Sequence, residues 1–195
     1  MWYCDKNGNN EGKYPNKGTN YISAEIKIEK NKVGRPIRII NSEENERMPD
    51  LKDEEYEIAY KNENEIKNNC TIKINDEIID FNYFYTFEKK GTYTIKYIFK
   101  KDIENIACMF FECEYLTNID LSNFNTQNVT NMSHMFYECH SLTEVGLSNF
   151  NTQNVTDMSD MFGGYSNLKE IKLNKNYGSE IQDEIDEEKI KIILL

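Results

Sequence analysis

From Tyr21 to about residue 102 the chain alternates apolar and polar positions with period two. Ala24-Glu25-Ile26-Lys27-Ile28, Ile37-Arg38-Ile39, Thr71-Ile72-Lys73-Ile74 and Tyr93-Thr94-Ile95-Lys96-Tyr97 each set one apolar face against one polar face. That pattern predicts half-buried antiparallel strands. Asn75-Asp76 is expected to turn a hairpin into a strand from Glu77 to Phe87, and Lys90-Gly91 to turn another into the Tyr93 strand. Between Ser42 and Asn69 the chain is mostly charged and weakly periodic, which predicts a long loop with a short element around Tyr56 to Tyr60.

The pattern changes near Ile103. Residues 116 to 136 read LTNIDLSNFNTQNVTNMSHMF and residues 142 to 162 read LTEVGLSNFNTQNVTDMSDMF. Met109, Met135 and Met161 are 26 residues apart, as are Phe110, Phe136 and Phe162, then Leu116, Leu142 and Leu168. A fixed period of this kind signals stacked repeats. Leu142, Val145 and Leu147 alternate as a short inward-facing strand, and Ser148 to Asn151 form a turn. Val155, Met158, Met161 and Phe162 then recur at spacings of 3, 3 and 1, as do Val129, Met132, Met135 and Phe136. That spacing predicts a helical face, with Asn151 or Thr152 capping its start. Each unit is thus expected to be a strand, a turn and a short helix, with strands side by side at roughly 4.8 Å.

The strand pattern L-x-x-[IV]-x-L-S-N-F, followed by N-T-Q-N-V-T-x-M-S-x-M-F-x-x-C, closely resembles the 26-residue repeats of the BspA-like leucine-rich-repeat surface proteins. The match spans about residues 103 to 173, and residues 20 to 100 resemble the β region that often precedes such repeats in Asn-rich protist members. The resemblance implies a right-handed leucine-rich-repeat stack used in adhesion or protein recognition, with no chemistry of its own. The third unit departs from the pattern, with Gly163-Gly164-Tyr165 where Phe-x-x-Cys would continue.

The expected fold class is therefore α+β: a small antiparallel β domain followed by a short strand-turn-helix solenoid. Residues 1–20 form a loose Asn-, Gly- and Lys-rich lead-in, 21–102 the β domain, 103–175 about two and a half repeats, and 176–195 an acidic tail or cap. So short an array needs covering at both ends, because each unit buries its apolar face only against neighbours. Tyr97, Phe99 and Ile103 are placed to cover the first end. The tail, with Ile181, Ile185, Ile190, Ile192 and Ile193, is either a closing element or the remnant of a longer array.

Charge narrows the partner. The net charge is −11, and residues 103 to 172 carry nine acids against only Lys169 and Lys172. Nucleic-acid backbones require clustered cations, so the repeats are not expected to bind them, and a basic or neutral protein surface is favoured. No apolar run reaches the ~18 to 20 residues of a membrane span. The opening residues lack the basic start and apolar core of a secretory signal, so the sequence as it stands reads as intracellular, or as cell-surface if it is part of a longer chain.

Several residue groups invite chemistry. Cys108, His134 and Asp160 occupy equivalent positions and spell a nucleophile, base and orienter, the remote alternative of a cysteine hydrolase. They fall off the apolar face, however, where a thiol is neither activated nor sheltered. Cys113, Cys139, His134 and His140 could supply zinc ligands, but without paired C-x2-C spacing the two cysteines read as small buried hydrophobes and free thiols. Asp5 to Asn16 begins like a calcium loop, yet has Asn10 and Asn16 where Gly and Glu are needed. Asn69, Asn128, Asn131 and Asn154 begin glycosylation sequons, which read here as turn chemistry. No cofactor, metal or catalytic residue is therefore assigned, and the protein reads as a non-enzymatic recognition or adhesion module; the alternative is a mainly structural piece of a longer adhesin. Contact with a partner is expected where the copies differ on the outward strand face: the column Asn118, Glu144, Glu170 and the column Asp120, Gly146, Lys172.

Overall fold

The computed structural model describes residues 20–41, 62–164, 167–173 and 190–194. Strand β1 (Tyr21–Ile28) alternates as its sequence does: Ile22, Ala24, Ile26 and Ile28 are buried. Strands β3 (Cys70–Ile74) and β6 (Gly91–Phe99) follow the same rule, burying Ile72 and Ile74, and Ile95, Tyr97 and Phe99. With β4 (Glu77–Ile79) and β7 (Leu116–Asp120) they form one five-stranded antiparallel sheet in the order β4-β3-β6-β1-β7. Asn75 and Asp76 make the expected two-residue hairpin between β3 and β4. Both have positive φ, 47° and 69°, the twist that suits such a turn.

Two expectations in this region are corrected. The segment from Glu77 to Phe87 is not one strand: after β4 the chain leaves the sheet, and β5 (Phe84–Thr86) pairs with β2 (Pro36–Arg38) instead of folding back on β6 at Lys90-Gly91. Just past β5 the buried Phe87 ring lies 4.8 Å from Tyr85 and 4.5 Å from Tyr93, and its carbonyl accepts from Gly34 N at 3.0 Å, which ties this segment to the chain entering β2. The stretch from Ser42 to Asn69 ends in helix α1 (Glu63–Asn69) rather than in loop. Glu63 and Glu65 complement its positive end and Lys67 its negative end. So short a helix depends on tertiary contact, here the buried Ile66 and the Asn69 side chain, which donates to Lys101 O at 2.9 Å and accepts from Lys101 N at 2.7 Å. The element expected near Tyr56 to Tyr60, like the lead-in up to residue 19 and the calcium-like loop, lies outside the described residues.

The larger correction concerns the repeats. A strand-turn-helix solenoid is not observed: among the described residues the α-helix is α1, upstream of the repeats. Where helices were expected, the chain makes consecutive tight turns. Cys108, His134 and Asp160 have φ of 57°, 55° and 51°, and Glu112 and Glu138 have 57° and 56°. Such left-handed residues cannot continue a right-handed helix. The backbone N–H groups take two kinds of partner in alternation. Met135, Tyr137 and Cys139 donate three residues back, to Met132, His134 and Phe136, whereas His134, Phe136 and Glu138 donate to Ser159, Met161 and Gly163 of the next copy. Cys108, Phe110 and Glu112 likewise donate to Ser133, Met135 and Tyr137. These turns, each reaching three residues back and starting from every second residue, bury Met132, Met135, Phe136 and Cys139 at a spacing that also fits a helix.

The repeat strands are also divided. β7 joins the antiparallel sheet against β1, while β8 (Glu144–Gly146), β9 (Glu170–Leu173) and β10 (Lys191–Leu194) form a separate parallel sheet in the order β10-β9-β8. The two regions nevertheless share one core. Tyr97 meets Phe110 at 5.3 Å, Phe99 meets Phe124 at 5.2 Å, and Ile103 is fully buried. Within the turns Phe110, Phe136 and Phe162 stack at 5.8 Å, nearly parallel, over buried Met109, Met135 and Met161.

Candidate interaction surface

The outward strand residues are positioned by register. β8 and β9 run parallel with Glu144 opposite Glu170, Val145 opposite Ile171 and Gly146 opposite Lys172. Val145 and Ile171 are buried, which turns their neighbours outward. Lys172 lies between the two carboxylates, its Nζ 3.4 Å from Glu144 and 3.5 Å from Glu170, and a second cation, Lys191, reaches Glu170 at 3.7 Å. Hydrogen bonding to Glu144, with its charge, raises the pKa of Lys172 above the ordinary lysine value. The face is therefore a laced set of charges rather than a plain acidic patch. A side chain at Gly146 would meet nothing within 4 Å, so this point of the surface is open.

Four of the six expected residues share this face. Asn118 and Asp120 do not: they lie on β7, opposite Glu25 and Ser23 of β1, in the other sheet. Asp120 turns back on its own chain, its Oδ1 accepting from Ser122 N at 2.9 Å. Sequence reasoning missed Lys191, although Lys191-Ile192 repeats the polar-apolar start of Glu170-Ile171; the two strands pair in that register, with Ile193 opposite Lys172.

The Cys108 column differs from its sequence reading. Cys108 was expected to face outward, but it is fully buried; His134 is mostly buried and Asp160 is exposed. His134 Nε2 lies 3.6 Å from Asp160 Oδ2, so base and carboxylate do meet. A thiol with no exposed surface, however, offers a substrate no approach. Cys70, Cys113 and Cys139 are free thiols and, like Cys108, buried. Burial pushes the thiols of Cys70 and Cys113 up to about 12 and that of Cys139 well above its ordinary value. Cys139 donates instead to Phe110 O at 3.1 Å. Among the described residues no three His, Cys, Asp or Glu side chains converge as a metal site would require.

The Asn- and Thr-rich turns are largely used by the fold. Asn131 and Asp157 accept from the N–H and hydroxyl of Ser133 and Ser159, at 2.7 to 3.0 Å, and Asn131 donates to Asp157 at 3.3 Å. Thr130 and Thr156 hydroxyls donate to Glu104 and Thr130 carbonyls one copy away. Asn125 and Asn151 accept from Gln127 and Gln153, forming Asx turns where helix caps were expected. The amide nitrogens of all four sequon asparagines, Asn69, Asn128, Asn131 and Asn154, donate hydrogen bonds within the fold. At the start of the column Asn62, buried just before α1, donates to the carbonyls of Asn105 and Ala107 at 3.0 and 2.9 Å.

No helix among the described residues is long and apolar enough to cross a membrane. No curated protein and no solved structure matches the chain. A family model described as "Mycoplasma protein of unknown function, DUF285" matches residues 59–183, from before α1 through all three repeat copies. That is more than half of the 195 residues, and the chain belongs to this family.

Proposed function

We propose that this protein is a non-enzymatic protein-recognition or adhesion module whose contact face is the outer surface of β8, β9 and β10. The observation that carries the reading is the contrast between a repeated frame and its outward positions. Phe136 and Phe162 stack and Met135 and Met161 are buried in the same way in successive copies, whereas Gly146 stands opposite Lys172 in register. Surface that varies on a fixed scaffold is how repeat proteins alter specificity without altering fold. The resemblance to BspA-like repeats supports the same reading. The exposed carboxylate of Glu144 beside Lys172 suits a partner that is basic or neutral.

The test is charge reversal on the face. Partners cross-linked to the immobilised chain are to be compared with those cross-linked to a Glu144→Lys, Glu170→Lys double variant. Loss of a partner on reversal, with the circular dichroism spectrum unchanged, is expected; equal recovery by both forms would remove this face from the function. Hydrolysis by the Cys108 column makes a different prediction, alkylation of Cys108 in the native protein faster than of Cys113.

A further inference from the structure

A cleft of about 250 Å³ lies between the segment leading into β2 and the end of the first turn column. One wall is Lys32, Arg35 and Arg38, three cations within seven residues; the facing wall is Glu112, Glu114 and Tyr115, and Phe84 adds an aromatic surface. This site is separate from the outer face of β8, β9 and β10, and its ligand preference is opposite in charge.

Arg38 is the buried charge among the described residues, 8% exposed. A buried guanidinium requires partners. Its Nη2 donates to Glu112 Oε2 at 3.4 Å, and its plane lies 4.7 Å over the Phe84 ring. Arg38 is thus fixed in position by a carboxylate on one side and an aromatic face on the other. Lys32 is held 4.9 Å over the Tyr115 ring, and Arg35 is exposed at the mouth. Arg38 and Glu112 offset each other, which leaves Lys32 and Arg35 against Glu114. In a chain of net charge −11, this is a local excess of positive charge with aromatic sides.

We propose that the cleft binds a carboxylate group, held by Lys32 and Arg35 over the fixed Arg38, with Phe84 and Tyr115 flanking its hydrocarbon stem. The volume fits a glutamyl side chain or a small free carboxylate and is below the ~300 Å³ at which larger ligand pockets begin. Glu114 disfavours a doubly charged phosphate more than a singly charged carboxylate by like-charge repulsion. The carboxylate comes either from an acidic peptide segment or from a free small acid, and one titration distinguishes the two.

The experiment is an NMR titration of the full ¹⁵N-labelled chain with butyrate, with an acetylated and amidated Gly-Glu-Gly tripeptide, with its Gly-Gln-Gly counterpart, and with inorganic phosphate. Saturable shifts at Arg35 and Tyr115 are expected with one or both carboxylate probes and not with the glutamine peptide. The probe that binds more tightly identifies the source. A Lys32→Ala, Arg35→Ala variant is expected to weaken binding roughly tenfold, the scale of a lost charge-assisted hydrogen bond. Both positions lie at the surface, and an otherwise unchanged spectrum confirms the fold. Glu114→Gln is expected to tighten binding by removing repulsion. Absence of a saturable shift, equal binding of the glutamine peptide, tighter binding of inorganic phosphate, or weakening by Glu114→Gln would each overturn the proposal.

Discussion

Strands β1 and β6 lie opposite one another from Tyr21 and Ile98 to Ile28 and Gly91, an extended antiparallel ladder in which β1 is paired on its other side with β7. In the repeats, by contrast, the N–H groups from His134 to Cys139 look alternately backward along their own turn and sideways to the next copy. Both regions satisfy the same requirement, that buried backbone polar groups be paired. They differ in what the side-chain period means. Period two in β1 reports a strand because alternation follows from extended backbone. Spacings of three in the repeats report tight turns whose N–H groups reach three residues back, a spacing that one helical face and a series of turns share.

The first way to break this comparison is to remove the ring at the middle of the repeat stack. Phe136 lies between Phe110 and Phe162, 5.8 Å from each. Phe136→Ala should cost about 3–5 kcal/mol, the usual range for deleting a buried aromatic side chain. Because the buried residues form one continuous cluster from Ile22 through Ile190, the loss should appear as a lower midpoint in a single urea transition seen equally by tyrosine fluorescence and circular dichroism. Two separated transitions would show that the sheet and the repeats are independent units.

A smaller effect sharpens the boundary between the regions. Asn62 sits just before α1 yet gives its amide to Asn105 and Ala107 at the first turn of the column. Asn62→Ala leaves the buried Ala107 carbonyl and the part-buried Asn105 carbonyl without that donor, at a cost of about 1–3 kcal/mol. Hydrogen exchange should localise the loosening to residues around Asn105 and Cys108, with β3 and β6 unaffected; uniform loosening would mean that Asn62 serves the whole core rather than the junction.

The strands of the first region were legible because Ile22, Ile26, Ile72 and Ile95 alternate with polar residues along segments long enough to fix a period. The Asn75-Asp76 hairpin was legible for a local reason, since few other residues tolerate positive φ. The 26-residue frame was also readable, and so was the outward setting of Glu144 and Glu170. What escaped was decided by partners distant in sequence. β5 joins β2 across 46 or more residues, β7 turns to β1 instead of continuing into β8, and the cleft at Arg38 needs Glu112, 74 positions away. The helix expected in each repeat failed on a different ground: one left-handed column is Cys108, His134 and Asp160, without a glycine, and the other is Glu112, Glu138 and Gly164, where glycine stands in the last copy alone, so composition gave little sign of a bend.

Asp160 offers the finest test of that last point, because the two backbones demand opposite responses to the same pair of substitutions. Its φ is 51° and its side chain is largely exposed. Asp160→Gly and Asp160→Ala both delete the carboxylate near His134, so the loss of that contact cancels between them. In a helix alanine is more stable than glycine by about 1 kcal/mol. In a left-handed turn the order inverts, because glycine has no Cβ to crowd the carbonyl, and the difference is again about 1 kcal/mol. The glycine variant should therefore unfold at the higher urea midpoint. Equivalent positions should behave alike, and the same pair at His134 checks this, with the added loss of the ring beside Tyr137 common to both variants. Alanine above glycine at both sites would restore the helix that the spacing of Met132, Met135 and Phe136 predicts. Glycine above alanine at both would establish the repeated turn as the unit that lies behind the period.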